Sequence, residues 1–235
     1  MKALISQQPG EPKTLVLADV PDPVPAAGEV LVAVHACGIN FLDTLIVIDQ
    51  YQVKPPRPFA PGVEVAGTVL ALGAGVTGLA PGDRVMGIPA WGGLAEQVCV
   101  PATHVFPLPD AVSFTEGAGL PIAYGTALHA LRDRGRMRAG ECLLVLGAGG
   151  GAGLAAVELG KALGLRVVGA VSGADKADAV RVAGADAVVV YDRAPLNRDQ
   201  SRALVQAFRA ACGGEGADIV YDAVGGDYAE PALRA

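Results

Sequence analysis

Between Gly147 and Gly153 the chain reads Gly-Ala-Gly-Gly-Gly-Ala-Gly. The apolar run Cys142 to Leu146 precedes it. A helix-like run from Leu154 to Leu163 follows and stops at Gly164. Strand, glycine turn and helix in that order are the context of a dinucleotide fingerprint. Glycines allow the tight turn and let backbone N–H groups approach a pyrophosphate at the positive start of a helix. Two registers fit, Gly147-x-Gly149-x-x-Ala152 and the tighter Gly150-Gly151-Ala152-Gly153. A second set of residues bears on which dinucleotide binds. The next strand candidate ends in Ser172-Gly173, and Lys176 follows one helical turn later. No Asp or Glu stands at that tip, where NAD enzymes use one for the ribose hydroxyl. Tyr191 ends the neighbouring strand candidate. A hydroxyl, an ammonium and a phenol at adjoining strand ends suit a 2′-phosphate, so NADPH is the expected cofactor. The alternative is a solvated lysine and a strand-end aromatic.

The elements that must position these residues fall into two textures. Fourteen of the 17 prolines lie at or before Pro109. That part carries short runs at 2–6, 14–20, 29–35, 64–70, 84–88 and 95–100, separated by turn clusters such as Pro21-Asp22-Pro23 and Pro81-Gly82-Asp83. Short strands with frequent turn signals predict a mostly antiparallel sheet. The later part alternates strand candidates (143–146, 166–171, 187–191, 218–223) with helix candidates (153–163, 175–183, 201–211). Such units predict a doubly wound parallel sheet. The expected domains are therefore 1–115 and 116–235. A dinucleotide fold usually has six strands and only four are in sight, so this second domain is read as truncated.

Composition narrows the classes. The chain has 235 residues, 51% hydrophobic and 18% charged, with a net charge of −6. That excludes a disordered chain and argues against nonspecific nucleic-acid binding or an anionic membrane surface. Met1-Lys2-Ala3-Leu4-Ile5 meets polar Ser6-Gln7-Gln8 at once, which is no secretory leader. Cys37, Cys99, Cys142 and Cys212 lack paired spacing and read as thiols of a cytoplasmic protein. His35 and Cys37 lie two apart on a strand and share a face. They read as packed residues; half a metal site, completed by His104 or Glu64, is the alternative.

Several segments carry a family likeness: Gly38-Ile39-Asn40-Phe41-Leu42-Asp43-Thr44, Pro61-Gly62-Val63-Glu64-Val65-Ala66-Gly67, Pro81-Gly82-Asp83-Arg84-Val85 and Gly92-Gly93-Leu94-Ala95-Glu96. It continues through Gly125-Thr126, the glycine loop, Lys176, Tyr191 and Val220 to Gly226. The chain resembles zinc-independent medium-chain dehydrogenases/reductases of the NADPH:quinone oxidoreductase, zeta-crystallin-like group. The resemblance implies an α/β protein made of a GroES-like catalytic domain and a Rossmann NADPH domain. Members run nearly a hundred residues longer and many are dimers, so a homodimer is expected for a full-length protein. Zinc-dependent relatives carry a Cys ligand where this chain has Asn40 and a Gly-His-Glu where it has Gly62-Val63-Glu64, so no metal is expected.

Without a Lewis acid, the acceptor must be electrophilic in itself. A quinone or another conjugated carbonyl qualifies, and the protein then orients the reactants and excludes water. The resemblance places Asn40 and Tyr51 on the substrate side of the nicotinamide, with Asp43 nearby. Asn40 can donate to the acceptor oxygen or to the carboxamide; otherwise it caps the helix beginning at Phe41. Tyr51 can donate through its hydroxyl; otherwise it packs on Phe59. Leu45 stands where some relatives have a second tyrosine, which argues against a two-tyrosine proton delivery. On the cofactor side the resemblance adds Thr126 and Val224 to Gly149, Gly150, Gly151, Ala152 and Gly153. Two other readings stay open: an enoyl-thioester reductase, and a nucleotide-binding protein without turnover.

Overall fold

The computed structural model describes all 235 residues and divides them into two compact units, Met1–Ile122 and Ala123–Ala235. The first unit contains β1 (Lys2–Ile5), β2 (Val16–Asp19), β3 (Glu29–Gly38), α1 (Phe41–Val47), β4 (Glu64–Leu72), β5 (Arg84–Gly87), β6 (Gln97–Pro101), β7 (Val105–Pro107) and α2 (Phe114–Gly119). Its main sheet is antiparallel in the order β6-β3-β4-β5-β7, and β1 pairs with β2. Val30, Val32, Val65, Val69, Val85, Val98, Val100 and Val105 form its core. An almost all-valine core follows from strand geometry, because stiff β-branched side chains pack well on a pleated surface. At Gly67 the chain passes so close to β3 that a Cβ would lie 1.8 Å from the Ala33 carbonyl oxygen. The register between β3 and β4 slips at Leu31/Val32 and at Val34/Ala36, on either side of that approach.

The second unit contains α3 (Ala123–Leu128), β8 (Cys142–Leu146), α4 (Gly151–Ala162), β9 (Arg166–Val171), α5 (Ala177–Val182), β10 (Ala187–Val190), α6 (Arg198–Ala211), β11 (Ile219–Asp222) and α7 (Ala229–Leu233). Its sheet is parallel in the order β10-β9-β8-β11. Side chains alternate across a strand, and β8 uses this fully. Leu143 and Val145 pack under α4 with Ala155, Ala156 and Val157. Leu144 and Leu146 pack on the other face with Leu204 and Phe208 of α6. Helices on both faces make the sheet doubly wound.

The expected domain cut at 115/116 falls inside α2. That helix packs on β3, β4 and β5, so it belongs with the first unit. α2, α3 and β7 lie outside the elements read from the sequence, although Ser113 and Glu116 form a capping box at the start of α2. α6 begins at Arg198 rather than Ser201, because Asn197 and Gln200 form a second such box. No helix is long and apolar enough to cross a membrane.

Phe208 is fully buried in the α6 face of the second unit. Phe208→Ala should destabilise that unit by about 3–5 kcal/mol. Val24→Ala, at a side chain 85% exposed, should stay within about 0.5 kcal/mol. Urea unfolding of both variants against the unaltered chain checks the contrast, and equal losses would show that the core is misplaced.

Candidate functional site

In the second unit the glycine loop joins β8 to α4. Gly147 has φ 68°, and the Val224 side chain lies 2.7 Å from where its Cβ would stand. A Cβ at Gly149 would meet Lys176 Cβ at 2.9 Å, and one at Gly153 would meet the Gly147 carbonyl oxygen at 2.2 Å. These three glycines let the chain pack on itself. Gly151 differs, because nothing lies within 4 Å of its missing Cβ. α4 starts there with Gly150 as a cap that has no side chain, and the amides of Gly151, Ala152 and Gly153 hold no hydrogen bond within the chain. Gly150 N–H donates back to the Gly147 carbonyl at 3.0 Å and closes the turn. Open space, free N–H donors and the positive end of a twelve-residue helix fit a pyrophosphate. Within the tighter register, Gly151, Ala152 and Gly153 carry the free amides and Gly150 closes the turn.

The strand tip carries the expected residues in unequal settings. Ser172 is half-buried. Lys176 is exposed, its stem lies along Gly149, and it joins none of the chain's ion pairs. Tyr191 is only 7% exposed, with its ring 4.5 Å from that of Tyr228. Burial raises the pKa of its hydroxyl, and the Gly147 amide sits beside it. Tyr191 therefore backs the loop from the α6 face rather than standing free at a strand end. Val224 flanks the loop at Gly147, its N–H donating to Asp222 at 2.8 Å. Thr126 is exposed on α3, which packs on α4. An acid does reach the tip: the Asp175 carboxylate folds back to within 2.3 Å of a Cβ built at Gly173. The strand tip itself has no acid in sequence; a tight turn, with Lys176 N–H donating to Gly173 O, brings Asp175 back to it.

The first unit holds a polar knot at the start of α1. Asn40 is the N-cap residue, and its backbone N–H donates to Asp43 Oδ2 at 2.8 Å. Asp43 Oδ1 accepts from Gly62 N–H at 3.1 Å. Asn40 Nδ2 donates to Glu64 Oε1 at 2.7 Å, and Ile122 N–H donates to Glu64 Oε2 at 2.8 Å. Asp43 and Glu64 are 4% and 3% exposed. Neither has a cationic partner, so burial pushes both carboxyls above the usual carboxylate range against the pull of these donors. Cys37, beside Gly62 and Gly93, is pushed to about 12 by burial and by the two acids. Tyr51 packs with Ile46, Phe59 and Val63. Exposed Ile39 and Phe41 flank Asn40. Glu64 belongs to this knot, although the sequence reading reached it only as an outside metal ligand; its signal is a lone charge within the apolar run Val63 to Ala66. His35 faces away from the knot, stacked on Phe114 at 4.4 Å and 3.2 Å from Thr68 Oγ1.

Residues 26–110 match the family described as alcohol dehydrogenase GroES-like domain, and residues 151–235 match that described as zinc-binding dehydrogenase. The chain is 40% identical over 208 residues to the quinone oxidoreductase-like protein 2 homolog of Nematostella vectensis. That match covers 88% of this chain and 54% of the relative. It is 39% identical over 98% of its length to 6% of PikAII, a pikromycin polyketide synthase component of Streptomyces venezuelae. The quinone oxidoreductase of Thermus thermophilus, solved also with NADPH, superposes with a TM-score of 0.81 at 34% identity, covering 98% of this chain and 69% of that one. This chain belongs to the quinone oxidoreductase family of medium-chain dehydrogenases/reductases. It spans little more than half of the Nematostella protein. The zinc of the wider family does not fit the residues of this quinone oxidoreductase-family chain. Asn40 is bound to Glu64, Val63 offers no ligand atom, and nowhere do three or more His, Cys, Asp or Glu side chains converge.

The raised Asp43 carboxyl has a consequence for stability. A carboxyl elevated in the folded state binds its proton more tightly there than in the unfolded chain, so stability falls as pH rises from the ordinary carboxylate range to the elevated value. Asp43→Asn has no such group. Its stability deficit against the unaltered chain should shrink between pH 4 and pH 8, as read by urea unfolding; a growing deficit would mean that the carboxyl is depressed.

Proposed function

We propose that this protein transfers a hydride from NADPH to a quinone or another conjugated carbonyl, without a metal. The observation that carries the cofactor half is the open N-terminus of α4, where Gly151 leaves room and three amides lack acceptors. Bound there, NADPH supplies the hydride. Gly151, Ala152 and Gly153 hold the pyrophosphate through backbone N–H groups and Gly150 closes the turn beneath it, with Gly149, Val224 and Thr126 shaping the surroundings. Lys176 and Ser172 meet the 2′-phosphate, and Tyr191 supports the loop beneath. The NADPH complexes of solved relatives support the same assignment.

The first unit supplies the acceptor side. Ile39 and Phe41 offer apolar surface to a flat, hydrophobic acceptor, and Asn40 is the polar group between them. Asp43 holds Asn40 at the start of α1, and Tyr51 borders the same helix. No strong acid is available at Asn40 to activate an isolated ketone, because both nearby carboxyls are occupied as acceptors of N–H groups. An acceptor that is electrophilic by its own conjugation asks only for orientation and exclusion of water. The likeness to a polyketide synthase component favours a second reading, reduction of an enoyl thioester by the same hydride chemistry.

Two experiments test this. Lys176→Ala should weaken NADPH about 10- to 100-fold and leave NADH nearly unchanged, since a charged hydrogen bond is worth about 1.5–3 kcal/mol. Gly151→Ala should weaken both cofactors without loss of stability, by filling the open space. Equal losses of NADPH and NADH in Lys176→Ala would remove the 2′-phosphate assignment. In the second experiment, NADPH oxidation is followed with a benzoquinone, an enone and an enoyl-CoA. Turnover with the first two is expected; turnover with the thioester alone selects the second reading, and binding without oxidation of any overturns both.

A further inference from the structure

Glu64 is a buried carboxylate at the start of β4, paired with Gly38 at the end of β3, with no cation beside it. Backbone packing also shapes its place: a Cβ at Gly38 would lie 2.3 Å from Glu64 Oε1 and 2.5 Å from the Ala118 carbonyl. The glycine on β3 therefore opens the space through which the carboxylate reaches Asn40. Its two oxygens divide their work, Oε2 on the Ile122 amide and Oε1 on Asn40 Nδ2. Both Glu64 oxygens accept from nitrogen here, so the nitrogen is the end of the Asn40 amide that faces it. The nitrogen lies on the Glu64 side, and the oxygen is the other end of the amide at the start of α1, where Asp43 N–H donates to the Asn40 backbone carbonyl instead. A primary amide nitrogen carries two hydrogens. One is held by Glu64, and the other has no acceptor within the chain.

We propose that Glu64 is a positioning residue: it locks the Asn40 amide so that one N–H stays free to donate to the carbonyl oxygen of the acceptor. This rests on the reduction of a conjugated carbonyl proposed above. As hydride arrives at carbon, negative charge develops on that oxygen, and a prealigned N–H stabilises it without reorganising. Glu64 does not touch the acceptor. It acts through the direction it imposes on Asn40.

A swap of the two functional groups separates this role from a structural one. In Glu64→Gln, one acceptor oxygen must serve two N–H groups. In Asn40→Asp, two carboxylates face each other. Each single variant should lower Tm by about 3 °C or more, roughly the effect of a lost hydrogen bond in a chain of this size. The double variant N40D/E64Q reverses the donor and the acceptor, keeps every hydrogen bond of the knot and should recover the Tm. It leaves no N–H at position 40 to donate to the acceptor, so its kcat with a benzoquinone should stay about tenfold or more below that of the unaltered chain, while its affinity for NADPH is retained. Recovery of kcat together with Tm would overturn the proposal, because the knot would then serve only the fold. Additive Tm losses in the double variant would also overturn it, since Glu64 and Asn40 would not be coupled. Absence of quinone turnover in the unaltered chain would instead sink the functional reading, and additivity of the Tm cycle would still decide the pairing.

Discussion

A buried N–H group without an acceptor costs about 1–3 kcal/mol, and this constraint organises both units in opposite ways. In the first unit the chain carries two carboxylates into its interior to meet the amides of Asn40, Gly62 and Ile122. Each acid is desolvated, and each is held by the donors it satisfies. In the second unit the amides of Gly151, Ala152 and Gly153 at the start of α4 are left without acceptors in the chain. Water or an anion must complete them. One unit thus fixes its polar groups internally, while the other keeps donors for a ligand.

The glycines follow from the same geometry. Gly153 is a glycine because the start of α4 crosses the turn so closely that a Cβ there would lie 2.2 Å from the Gly147 oxygen. Gly151 is under no such pressure from the protein, and its empty side is the feature that points outside the chain. The two roles cannot be told apart by reading Gly-rich sequence. They separate once the neighbours of each missing Cβ are known.

Much of this was legible in the chain. The valine-rich alternation of the first half and the strand–helix repeat of the second gave both sheets and their opposite strand directions. What escaped was short or cooperative. α2 is six residues long and rests on its capping box and on three strands, so no periodicity could announce it. Glu64 read as one charge in an apolar run, and its partners lie 24 and 58 residues away. Tyr191 read as a strand end; its burial depends on Tyr228, which arrives from the far end of the chain. Asp175 was missed because a turn, and not the strand itself, returns its carboxylate to Gly173.

Cys37 shows how the buried acids bear on the proposed chemistry. Quinones and enones react with thiolates, so a cysteine close to such an acceptor invites covalent capture instead of hydride transfer. Only the thiolate is the nucleophile. With burial and the neighbouring Asp43 and Glu64 holding the Cys37 thiol at about 12, the thiolate fraction near neutral pH falls to roughly one in 10⁵. Burial keeps this sulfur protonated, and the carboxylates that fix Asn40 add to that effect. An electrophile held beside Asn40 would therefore meet a hydrogen-bond donor and apolar side chains, and hydride delivery would be the reaction left open to it.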